Sequence, residues 1–115
     1  MTYFSDSEFE CKCGCSSLII NEELVEVLNK LREWVGGPVY ITSGTRCEER
    51  NRKVGGSERS RHLTGEGADI ISSRKTPIEI CQWLDTTYPD KYGIGLYQFH
   101  VHLDVRPTYA RWDRR

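Results

Sequence analysis

Near the C-terminus, Phe99-His100-Val101-His102-Leu103-Asp104-Val105-Arg106 alternates apolar and polar residues without a miss. Successive side chains on a strand face opposite ways, so Phe99, Val101, Leu103 and Val105 are expected to face a core. His100, His102, Asp104 and Arg106 then share the other face. Two histidines separated by one strand residue project the same way, an arrangement that zinc sites use. The plainer alternative is the solvated face of a half-buried strand. A second segment, Ser60-Arg61-His62-Leu63-Thr64-Gly65-Glu66-Gly67-Ala68-Asp69, sets a loop histidine seven residues before a carboxylate. A loop that folds back would bring His62 and Asp69 together, and Gly65 and Gly67 permit the close approach. Taken singly, His62 also reads as an ordinary loop histidine and Asp69 as a carboxylate capping a backbone amide.

Cysteine offers a further chemistry. Cys11, Cys13 and Cys15 alternate in Cys11-Lys12-Cys13-Gly14-Cys15, with Cys47 and Cys81 alone further on. Metal-binding pairs are usually C-x-x-C, because two intervening residues let both thiolates face one ion. C-x-C-x-C lacks that spacing, so reduced structural thiols are expected, with a pairing of Cys47 to one of the first three left open. Cys47 as a nucleophile would need a paired histidine, and the histidines are better used by a metal.

These groups need a scaffold to hold them. Asn21 is a good helix N-cap, with Glu22 and Glu23 at the positive end of the helix dipole. Leu24, Val27, Leu28, Leu31, Trp34 and Val35 recur at helical spacing, and Gly36-Gly37-Pro38 stops the run. Val39-Tyr40-Ile41-Thr42 reads as a strand, and Ser43 to Gly67 as a loop with a short helix around Cys47 to Lys53. Ala68 to Ile71 is a second strand. Thr76-Pro77-Ile78-Glu79 is a capping box with proline at the first helical position, predicting a helix to about Thr87. Gly93 to Tyr97 and Phe99 to Val105 complete the set as a hairpin. The order predicts an α+β fold with a small antiparallel sheet and flanking helices.

A length of 115 residues fits one domain, 1–115. The formal net charge of -1 supplies no basic surface for a phosphate backbone, so no nucleic-acid partner is expected. No stretch reaches the roughly 20 apolar residues of a membrane span. Met1-Thr2-Tyr3-Phe4-Ser5-Asp6 shows no positive region followed by an apolar run, so cytoplasmic synthesis without a signal peptide is expected.

Ser60-x-His62-x-x-Gly65-x-x-x-Asp69, with Ala68 before the aspartate, resembles the S-x-H-x-x-G-x-A-x-D signature of the zinc D-Ala-D-Ala peptidases. That family includes D,D-carboxypeptidases, vancomycin-resistance D,D-dipeptidases and phage L-alanyl-D-glutamate endolysins. Gly67 stands at the usual alanine position and Ala68 follows it, a small-for-small exchange. Phe9-x-Cys11-x-Cys13-Gly14-Cys15, Ile41-Thr42-Ser43-Gly44-Thr45-Arg46-Cys47 and Asn51-x-x-Val54-Gly55-Gly56 resemble a compact branch of murein peptidases from phages and bacteria. Gly93-x-Gly95-x-Tyr97 and His102-x-Asp104-Val105-Arg106 extend the similarity nearly to the C-terminus.

The resemblance implies a hedgehog-like zinc peptidase fold with His62, Asp69 and His102 as ligands to one zinc and a fourth position left for water. Such a zinc lowers the pKa of its water to roughly 7 and polarises the scissile carbonyl. It implies that Arg46, from the S-G-x-R motif, binds a substrate carboxylate or the developing oxyanion, with Ser60 and Thr64 lining the site. Many relatives carry an acidic residue three positions before the last histidine ligand, where this chain has Phe99. His100 is expected to replace it as general base, and Asp104 to orient His102 or another ligand. The substrate implied is a peptidoglycan stem peptide, cut at L-Ala-D-Glu, D-Ala-D-Ala or the D-Ala-diaminopimelate cross-link. The expected protein is a monomer, and without a leader it would reach the wall as a holin-released phage endolysin would. Two alternatives stand beside this: a zinc-stabilised binding module without turnover, and a cysteine-rich regulator that would retain metal after His62→Ala.

Overall fold

The computed structural model describes residues 3–15 and 17–115. Met1 and Thr2, part of the stretch read for a leader, lie outside the described residues, as does Ser16. Helix α1 spans Glu22–Val35, and the Asn21 side chain accepts the Leu24 N–H at 3.0 Å, as its position foretold. Gly36 closes the helix. Leu24, Val27, Leu28, Leu31 and Val35 are buried, while Trp34 sits at the rim of the stripe and stacks on Trp83 at 5.3 Å. Strand β1 is Val39–Ser43 and the short helix α2 is Glu48–Lys53. Strand β2 is Gly67–Ser72. Helix α3 runs Pro77–Thr87 behind a complete capping box in which Thr76 and Glu79 each accept the other's backbone N–H. Such a cap is worth about 1 kcal/mol.

Strands β3 (Gly93–Leu96) and β4 (Val101–Asp104) form the expected hairpin. A fifth strand, β5 (Ala110–Asp113), was not legible in the sequence. The sheet order is β1-β2-β4-β3-β5, antiparallel throughout except that β5 adds parallel to β3. Its edge position is held by Arg111, whose guanidinium reaches Asp85 Oδ1 at 2.6 Å and the carbonyls of Tyr88 and Tyr92. One core joins α1, Ile80 and Leu84 of α3, and Val39, Ile41, Ile70, Ile94, Val101 and Leu103 of the sheet. By alternation the opposite face of β2 and β4 carries Asp69, His102 and Asp104.

β4 is shorter than the alternating pattern suggests. The Tyr97 N–H donates to His100 O at 3.1 Å, so residues 97–100 form the reversal between β3 and β4. Phe99 therefore stands on a turn tip and is 77% exposed, not in the core. A turn residue has no sheet face beneath it, whatever its place in an alternating run.

Candidate metal and catalytic site

Antiparallel pairing of β2 with β4 sets Asp69 directly opposite His102. The third group arrives from a 3-10 turn, Arg61–Thr64, capped by Ser60, whose Oγ accepts the His62 N–H at 3.2 Å. Gly65 ends that turn in the left-handed region at φ 74°, and the chain doubles back into β2. Asp69 Oδ1 then lies 3.2 Å from both His62 Nε2 and His102 Nδ1. All three donor atoms fall within 4.8 Å of one another.

The far side of each imidazole decides what this cluster can hold. His62 Nδ1 is 2.7 Å from the Gly44 carbonyl, an acceptor, so that nitrogen carries the proton. His102 Nε2 is 2.8 Å from Asp104 Oδ2 and donates to it in the same way. With both rings neutral, two lone pairs and a carboxylate oxygen face one point, which is the donor set of a catalytic zinc site. The residues fit the metal. Asp69 Oδ2 faces away, toward Arg46 Nη2 at 3.1 Å and His100 Nε2 at 3.9 Å.

Without a metal, burial alone would raise the Asp69 carboxyl, but hydrogen bonds from His102 and His62 outweigh it and hold it well below the usual range. Burial would lower His102, yet its bonds to Asp104 and Asp69 raise it above the ordinary value. Asp104 is fully buried; its bonds to His102 and Arg106 overcome burial and depress it strongly. The Arg106 guanidinium clasps Asp104 with two bonds of 2.7 Å, so Asp104 is fixed from one side and orients His102 on the other.

The glycines of Gly93-x-Gly95 have a steric reason. Gly93 pairs across from Asp104 and Gly95 from His102. A Cβ on Gly93 would meet the Asp104 carboxylate, and one on Gly95 the Trp112 indole. Trp112 lies over Gly95, 5.2 Å from the His102 ring, and its Nε1 donates to the Tyr97 hydroxyl at 3.0 Å. The Tyr97 ring in turn stacks on His100 at 4.4 Å.

The donor cluster forms the floor of an open cavity of about 650 Å³. Arg46, Ser60 and His100 line it, and Asp104 touches it only through His102. Thr64 does not line it; its hydroxyl donates to Glu66 Oε1 at 2.7 Å. His100 reaches the site from the β3–β4 turn instead of from the strand. Arg46 has three engaged donors, to Ser43, Asn51 and Asp69, so orienting the Asp69 carboxylate is the contact its geometry shows. Burial lowers its pKa and Asp69 opposes that shift. Sequence reasoning did not pick out Arg59, Arg61, Trp112 and Arg114, which also line the cavity. Trp112 and Arg114 carry no spacing signal because β5 brings them in by parallel addition at an edge.

A family model described as Peptidase M15 matches residues 2–104, nearly the whole chain and all three donor residues. No curated protein matches the chain.

Proposed function

Because the chain belongs to the peptidase M15 family, whose members depend on zinc, we propose that it hydrolyses a peptide bond in peptidoglycan stem peptides at the His62–Asp69–His102 site. One observation carries this reading: both imidazoles have their outer nitrogens committed, to Gly44 O and Asp104, and turn their inner nitrogens to Asp69 Oδ1. Zinc, when bound, supplies an activated water at neutral pH and polarises the carbonyl to be attacked.

The chain's own groups do the rest. His100 Nε2 takes the proton from the attacking water and returns it to the leaving amine. Its imidazole, held flat on Tyr97, faces the same Asp69 oxygen that Arg46 holds. Of the five arginines that line the cavity, Arg46, Arg61 and Arg106 are already paired with Asp69, Glu66 and Asp104, so its basic wall is Arg59 and Arg114. Such a basic wall suits a substrate rich in free carboxylates, as stem peptides with D-glutamate and terminal D-alanine are. The setting proposed with it is a bacterial cell wall, the protein acting as a monomer, with a phage lysis enzyme as the first case to test.

One observation favours the alternative of a binding module. Among the described residues lining the cavity there is no second carboxylate, and Phe99 occupies the position where many relatives carry an acid. Mass spectrometry of material released from purified peptidoglycan separates the two. New muropeptide ends that disappear with chelator support hydrolysis and identify the bond. One equivalent of zinc with no release supports the module.

A further inference from the structure

A second cluster of ligand-type side chains lies apart from the cavity. Cys11 and Cys13 Sγ are 3.5 Å apart, Cys11 and Cys47 3.8 Å, and Cys13 and Cys47 3.6 Å. Cys15 Sγ completes a group of four sulfurs all within 4.8 Å of one another. Four thiolates at about 2.3 Å from a tetrahedral zinc are about 3.8 Å apart, the length of the tetrahedron's edge. A disulfide requires about 2.05 Å and joins two sulfurs, whereas here three are nearly equidistant. Hydrophobic burial does not explain the convergence either, because Cys13 and Cys15 are exposed.

The local chain shows how an unpromising spacing achieves this. The Cys11 N–H donates to Ser17 O at 2.8 Å, which holds the chain after Cys15 back against Cys11. Gly14 takes φ 87°, which turns the chain between Cys13 and Cys15. The three sulfurs therefore ring one point instead of standing on one strand face. Cys47 meets them from the N-cap of α2, where its Sγ accepts the Arg50 N–H at 3.4 Å.

We propose that Cys11, Cys13, Cys15 and Cys47 bind a second, structural zinc ion, with the four thiols giving up their protons to solvent. All four positions are filled by protein, so this ion has no open site and takes no part in hydrolysis. Its work is positional. Cys47 adjoins Arg46, and the same stretch is tied to the N-terminal loop through Thr45 N–H to Phe9 O at 2.8 Å and to His62 O through Arg46 N–H at 2.9 Å. Clamping Cys47 to residues 11–15 thus fixes Gly44, which orients His62, and Arg46, which holds Asp69.

The test is metal content of the full chain purified under reductant, together with the absorption of cobalt-loaded protein. The expected result is about two metal equivalents per chain and a strong sulfur-to-cobalt charge-transfer band. The Asp69→Ala variant should keep that band and lose the other equivalent, so failure here is separable from failure of the hydrolytic reading. The Cys13→Ser, Cys15→Ser double variant should lose the band. Wild-type protein with one equivalent and no sulfur band overturns the proposal. So does an intact mass lighter by two hydrogens with Cys47 joined to Cys11 or Cys13. Neither outcome depends on a variant folding.

Discussion

Replacing Asp104 by asparagine isolates the support beneath the donor cluster. Asp104 is fully buried, accepts from His102 Nε2 at 2.8 Å, and takes two bonds of 2.7 Å from Arg106. Asparagine keeps the shape but has one acceptor oxygen and no charge, so it cannot serve His102 and Arg106 alike. A hydrogen bond to a charged group contributes about 1.5–3 kcal/mol, and 1.4 kcal/mol is about tenfold in affinity. Zinc should therefore bind about 10- to 100-fold more weakly, within the range for groups that orient a ligand. Competition against a fluorescent chelator reads the constant, and circular dichroism checks that the variant is folded. Arg106→Gln is the control. It leaves the His102–Asp104 bond, and the backbone N–H at residue 106 still donates to Asp104 Oδ1, so affinity should stay within about threefold of wild type. If Asp104→Asn binds zinc as tightly as wild type, Asp104 does not set the tautomer of His102.

Three further outcomes are expected. His100→Ala should lower kcat by about 100-fold or more with zinc still bound, and near-full turnover would remove His100 as the base. Gly95→Ala drives a methyl into the Trp112 ring and should cost about 1–3 kcal/mol, read as a lower Tm, with an unchanged Tm contradicting the close approach. The third concerns pH. In the metal-free protein the His102 pKa is raised, so its proton stabilises the fold fully below the unfolded value of about 6.5, and that contribution is lost as pH rises through the native value. Zinc needs the same nitrogen bare, so below the native value its affinity should weaken about tenfold per pH unit. A titration series between about pH 5 and 8 that shows constant affinity would contradict this linkage.

The site was legible in proportion to how local its signals are. His62 and Asp69 share one short motif, and His102 sits in an alternating strand whose register with β2 follows from burying Val101 and Leu103. The helices were legible because their caps and apolar stripes are local too. Phe99 was misplaced because alternation continues through a turn without marking it, and only the Tyr97–His100 bond shows where β4 begins. The Gly44 carbonyl that orients His62 has no side-chain signature at all. Trp112 was missed, and the meeting of Cys47 with the first three cysteines stayed open, for a shared reason: each depends on distant segments meeting. β5 pairs with β3 from beyond the whole of β4, and Cys47 comes to the Cys11–Cys15 loop through the β1–α2 connection.

Anomalous diffraction at the zinc edge, from crystals of the full chain grown with zinc, tests the central claim most directly because it reports the ligand atoms themselves. A peak is expected about 2.0–2.2 Å from His62 Nε2, Asp69 Oδ1 and His102 Nδ1, with His62 Nδ1 still on Gly44 O and His102 Nε2 still on Asp104. No peak between these three residues, or a metal held by the outer nitrogen of either ring, would contradict the account.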